Sequence, residues 1–234
     1  MRHRTFALVT LLAAGILRFP GMAHAADLTG KILFEGQAPV KEVQKADADP
    51  TCKAMHPQGI ENDSVIVGAD GGLKNVFVYV KEGVTGAFET PKESVAFDQS
   101  GCQYKPKVFG IQTKQTLEIL NSDATLHNVH SLSANSPQFN LGMPIKGMKL
   151  KKSFDKPEVM IKIKCEVHPW MAAYAGVLDH PFFAVTAEDG SFTIKGLPAG
   201  AYVIEAWHEK FGVQTQNVTV ADQPQSLSFN FKAA

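Results

Sequence analysis

Apolar residues recur at every second position in this chain, in short runs separated by Gly, Pro, Asn and Asp clusters. That period admits strands and leaves little room for helices. The runs extend from Gly30 to Phe34, Asn75 to Val80, Lys107 to Ile111, Thr116 to Asn121, Val159 to Cys165, Phe183 to Thr186, Ser191 to Ile194, Ala201 to His208, Val213 to Val220 and Ser226 to Phe231. Such a series predicts an all-β protein built of sandwiches or barrels. No segment shows a long amphipathic helix, and the stretch from Glu82 to Ser94 has room for a short one at most. There is no low-complexity tract and no internal repeat of fixed period.

The N-terminus follows another pattern. Arg2 and Arg4 precede an apolar stretch from Phe6 to Leu17, and Ala23-His24-Ala25 supplies small residues at a cleavage site. Residues 1–25 therefore read as a secretory signal peptide, since the apolar stretch is too short for a membrane span. An uncleaved anchor is the alternative. No later segment is apolar and long enough to cross a bilayer, so the expected location is a bacterial periplasm or the exterior. Cleavage leaves 234 less 25, or 209, residues, enough for one large or two small domains. It also removes three arginines, so 23 basic and 23 acidic residues become 20 and 23, a net charge of −3. Nucleic-acid binding needs a strong basic footprint, which this balance does not provide.

Chemistry concentrates in Cys165-Glu166-Val167-His168-Pro169-Trp170-Met171, with Leu126-His127-Asn128-Val129-His130 upstream. A thiolate, two imidazoles and a thioether in this order form the donor set of a type 1 copper site, three ligands in a plane and a weak axial Met. The sulfur ligands suit Cu(I) and the imidazoles accept Cu(II), so one electron passes with little rearrangement. Each residue alone is more often structural filler. Together, at this spacing, His127, Cys165, His168 and Met171 are the candidate ligands of one copper ion.

Strand parity tests the choice. Along Met160-Ile161-Lys162-Ile163-Lys164-Cys165, side chains alternate faces, which puts Cys165 on the apolar face with Ile161 and Ile163. The same rule groups His127 with Val129, and His130 with Asn128, which favours His127 over His130 unless a bulge intervenes. His130, His180 and His208 are more often structural or solvated than ligands. Met143 and Met148 offer a second soft site for Cu(I), or simply fill gaps.

Other chemistries fail on counting. A binuclear copper centre needs two Cys in the ligand loop, and this loop has one. Multicopper oxidases need more His, in paired arrangements, than the six remaining after the leader. Met is a poor zinc ligand, and no hydrolase arrangement stands out, so the expectation is a carrier and not an enzyme. Of the three cysteines, Cys165 is taken by the metal. Cys52 and Cys102 then pair in a disulfide or remain as two free thiols.

From about Val95 to Asp179 the chain resembles the cupredoxins, above all their amicyanin and plastocyanin branch. The residues that carry this are Leu117-Glu118-Ile119-Leu120-Asn121, His127-Asn128-Val129-His130 and the Cys-x2-His-Pro-aromatic-Met loop from Cys165 to Met171. The resemblance implies a Greek-key β-sandwich with copper at one end, bound by His127, Cys165, His168 and Met171. It implies that Asn128 ties the two ligand loops together. It also implies an electron port at the solvent edge of His168, flanked by Pro169 and Trp170.

Beyond Phe182, the run from Thr186 to Tyr202, with Asp189-Gly190 and Gly196-Leu197-Pro198-Ala199-Gly200, resembles the carboxypeptidase-regulatory or transthyretin-like β-sandwich module. Phe192, Ile194, Tyr202 and Ile204 alternate inward. The simplest division is a copper domain over residues 26–180, its core about 95–180, and a smaller β module over 181–234. Strands from 26–90 complete that module in one arrangement; in the other, an elaborated cupredoxin carries a small appended sheet. The function these features imply is single-electron transfer by a monomer between redox protein partners, such as a cytochrome or a dehydrogenase. A copper-buffering protein or a structural module stabilised by copper are the alternatives. Lys146, Lys149, Lys151 and Lys152 form either a docking face for an acidic partner or a solvated loop.

Overall fold

The computed structural model of the protein describes residues 25–221, 223 and 225–233. The signal peptide expected over 1–25 lies, apart from Ala25, outside the described residues. Every regular element among the described residues is a strand, except one six-residue helix, Pro50–Met55. No helix among them is long and apolar enough to cross a membrane. The short helix that the sequence allowed between Glu82 and Ser94 does not form. The helix sits instead where Asp49 caps its first turn and Pro50 opens it with a fixed φ and no N–H to satisfy.

The central part of the chain builds one sandwich. Its larger sheet orders Asn140–Met143, His127–Ser131, Glu158–Lys164, Ala172–Leu178 and Val108–Gln112. The facing sheet orders Lys149–Lys152, Leu117–Asn121, Val95–Gln99 and Tyr104–Lys105. Val108–Gln112 runs parallel to Ala172–Leu178, and Val95–Gln99 runs parallel to Leu117–Asn121, so sheet neighbours come from distant parts of the chain. Between the sheets, Phe97, Phe109, Ile119, Val129, Phe154 and Ile163 form a closed core.

The two ends of the chain share a second sandwich. Ala25–Glu35 lies between Ser191–Pro198 and Gln225–Lys232, antiparallel to the first and parallel to the second. Phe77–Glu82 lies between Phe183–Val185 and Gly200–His208, with Gly212–Val220 beyond. Alternation sets the inward faces, and Phe192, Ile194, Tyr202 and Ile204 are all buried in this core. The sandwiches meet through Phe77, Tyr79, Val108 and Leu178. Gly110 and Gly176 are paired on neighbouring strands there, and a Cβ on either would lie 2.2 or 2.3 Å from the ring of Phe183 or Phe77. Their bare backbones let the two aromatic rings approach.

Between these parts runs a covering segment. Val43–Gln44 pairs with Ile60–Glu61, and the helix between them lies over the ligand end of the central sandwich. Cys52 on the helix is joined to Cys102 in a disulfide, which settles the choice left open by the cysteine count. Ala46, Ile60 and Trp170 pack around it.

Candidate metal centre

Cys165 follows the strand Glu158–Lys164, in which Ile161 and Ile163 face the core, and its thiol is buried on that same face. The next turn closes tightly. Cys165 N donates to Met171 O at 3.2 Å, and Met171 N donates to His168 O at 3.0 Å. His168 N in turn donates to Cys165 Sγ at 3.3 Å. This loop folds His168 and Met171 back over the sandwich, where both are buried. His127 opens the neighbouring strand His127–Ser131 and is buried with Val129, whereas His130 reaches the surface and meets Glu166 Oε1 at 2.6 Å.

The structure thus brings His127, Cys165 and His168 into one buried cluster, their ligand atoms within 4.8 Å of one another. His168 Nδ1 lies 3.0 Å from His127 Nδ1 and 3.8 Å from Cys165 Sγ. The outer nitrogens face carboxylates: His127 Nε2 is 2.9 Å from Asp123 Oδ2, and His168 Nε2 is 3.4 Å from Asp49 Oδ2. Burial by itself would raise both acids. Hydrogen bonds to Asp123 from Cys102 N and Gly101 N, and to Asp49 from Thr125, Cys52 N and Thr51 N, hold each below the usual carboxylate range. An ionised carboxylate only accepts, so the nitrogen facing it carries the proton. In a neutral ring Nδ1 is then a bare lone pair. Burial, followed by the charge of His127, keeps His168 below its ordinary value and favours the neutral form. The two Nδ1 atoms and the sulfur thus face one another in a buried space, where a shared proton or a bound cation holds them together. Nitrogen and thiolate donors of this kind suit copper.

Neighbouring groups fix this arrangement. Asn128 Oδ1 accepts from Glu166 N at 3.2 Å, tying the two ligand loops together as the resemblance implied. Tyr104 donates its hydroxyl to Asn128 O, and burial, with the Cys165 thiol close by, pushes its phenol well above the ordinary range. Asp49 and Cys52 with His168, and Cys102 and Asp123 with His127, form two further clusters. Their sulfurs are joined in the disulfide and offer no thiolate. Met143 is buried in the core with Met148 packed against it, and Gln99 Nε2 donates to Met143 Sδ at 3.0 Å, the gap-filling role that was the alternative to a second soft site. His180 is held by Val80 O at 3.1 Å, and His208 stacks on Phe211.

One expectation is corrected. His168 has no solvent edge: it is 0% exposed, covered by Asp49 and the disulfide. Trp170 packs against it at a tilt, with ring centroids 5.0 Å apart, and is only half-buried. It opens onto a polar cleft also lined by Tyr104, Lys107, Met171, Tyr174 and Glu209. The covering segment is why the port implied by the resemblance is closed. Sequence reasoning missed both Asp49 and Asp123; Asp49-Pro50 was a legible helix-start signal.

No family model and no curated protein matches this chain. Among solved structures it is similar to a copper-containing nitrite reductase from Thermus scotoductus, at 22% identity over 42% of this chain and 25% of that one, with a TM-score of 0.35. This chain therefore spans about a quarter of the nitrite reductase. It is similar to a purple cupredoxin from Nitrosopumilus maritimus, at 22% identity over 35% of this chain and 97% of that one, with a TM-score of 0.31. It is also similar to a variant of amicyanin in the Cu(I) form, at 20% identity over 38% and 86% of the two chains, with a TM-score of 0.33.

Proposed function

We propose that this protein binds one copper ion through His127, Cys165 and His168, with Met171 as the axial ligand, and carries single electrons between redox proteins. The observation that carries this reading is the buried convergence of two Nδ1 atoms and one thiol sulfur. Copper, when bound, supplies a one-electron Cu(II)/Cu(I) couple. The chain supplies the rest. The closed loop from Cys165 to Met171 and the carboxylates behind the two rings fix the donors before the metal arrives, so little has to move on electron transfer. Burial excludes water from the sulfur. The backbone N–H of His168 is aimed at Cys165 Sγ, and Pro169 has no N–H to add a second such bond, which leaves more charge on the sulfur and favours a lower potential.

In this reading the protein is a carrier, not an enzyme, and works in a bacterial periplasm with a cytochrome or dehydrogenase as partner. Trp170, packed against His168 and lining the cleft, provides a protein route from the site to solvent. Voltammetry on the copper-loaded protein tests the function. A reversible one-electron couple is expected, and Met171→Gln lowers its potential while the colour persists, because a harder oxygen donor favours Cu(II). A potential unmoved by Met171→Gln removes Met171 from the ligand set. Absence of any reversible couple removes electron carriage.

A further inference from the structure

The covering helix does more than shield the site. Asp49 Oδ1 accepts from Thr51 N at 2.7 Å and Cys52 N at 2.9 Å, which is the N-cap of the helix. Its other oxygen, Oδ2, accepts from Thr125 Oγ1 at 2.6 Å and faces His168 Nε2 at 3.4 Å. One carboxylate therefore ends the helix, grips the loop before His127 and backs the His168 ring. The disulfide completes the frame, because Cys102, bonded to Cys52, directs its N–H at Asp123 Oδ2 at 2.8 Å, and Asp123 backs His127.

We propose that Asp49 is a positioning residue of the metal centre: from the covering helix its carboxylate holds the outer nitrogen of His168, keeps Nδ1 aimed inward, and lowers the potential of the site. This rests on the copper reading above for its redox consequence, but the hydrogen bond itself exists without metal. A carboxylate behind a ligand imidazole fixes the tautomer and makes the ring a stronger donor. Its negative charge, on a carboxylate only 15% exposed, favours the more highly charged Cu(II). A buried His168 thus has a polar partner where an exposed ring would have solvent.

Two measurements test it. In the metal-free protein at neutral pH, the ring nitrogen shifts of His168 by NMR should show the proton on Nε2; a proton on Nδ1 overturns the proposal, whether or not copper binds. In the copper protein, Asp49→Asn keeps a capping oxygen and removes the charge, and the potential should rise. Thr125→Val removes one donor from the carboxylate, leaves more of its charge on His168, and should shift the potential the opposite way. Asp47→Asn is the control, since Asp47 is exposed and pairs with Lys53 at 3.2 Å; it should leave the potential unchanged. Equal shifts from Asp47→Asn and Asp49→Asn, or none from Asp49→Asn and Thr125→Val, overturn the proposal. A wild-type protein that takes up no copper refutes the copper reading instead, and the NMR result then decides the role of Asp49 alone.

Discussion

His127 and His168 each turn one nitrogen inward and give the other to a carboxylate, and the proposed copper site rests on this division of labour. The inward atoms were legible in the sequence, because parity placed Cys165 with Ile161 and Ile163, and His127 with Val129, on buried faces. The outer partners were not. Asp123 and Asp49 reach the rings through loop geometry and a distant helix cap, and no period records that. A third buried histidine illustrates the opposite outcome. His208 stacks on Phe211 with Phe231 tilted nearby, its Nε2 has no partner, and burial, then the charges of Lys107 and Lys210, pushes its pKa down to about 4. Unfolded, it titrates near 6.5. The unfolded chain alone takes up this proton between those values, so the stability is complete above about 6.5 and is lost as pH falls towards 4. The loss is roughly 3 kcal/mol. Urea unfolding over that pH range should show the slope, and His208→Gln should flatten it.

At the scale of elements, the strands were the legible part and their covering was not. The alternating runs mark ten of the eighteen strands among the described residues, those with one clear apolar face, and pass over others such as His127–Ser131 and Ala172–Leu178. The helix Pro50–Met55 is too short to carry a period and is held by its cap, its disulfide and its contact with Trp170. The disulfide spans 50 residues of chain. By the chain-entropy model, closing that loop stabilises by about 4 kcal/mol. Replacing both Cys52 and Cys102 with Ser should lower the free energy of unfolding by that order in chemical denaturation. It should also increase the solvent exposure of His168, seen as faster hydrogen exchange at the covering helix. Unchanged exchange there indicates that the helix is held by its side-chain contacts alone.

The whole molecule is two sandwiches whose strands interleave along the chain. Ala25–Glu35 pairs in parallel with Gln225–Lys232, a contact between the two ends of the kind expected where strands from 26–90 complete the C-terminal module. The union of the sandwiches depends on Gly110 and Gly176, which leave room for Phe183 and Phe77. Gly176→Val should therefore force the buried ring of Phe77 aside and destabilise the protein by about 1–3 kcal/mol, checked by thermal unfolding. A neutral result shows that the interface can slide. The proposed function, however, rests on His127, Cys165 and His168, clustered at one end of the central sandwich. The most direct test is the visible absorption spectrum of the oxidised, copper-loaded protein beside that of Cys165→Ser. An intense blue thiolate-to-copper band that disappears in the variant is the expected result. A wild-type protein that binds copper without that band, or a variant that keeps it, contradicts the assignment of Cys165 as the ligand.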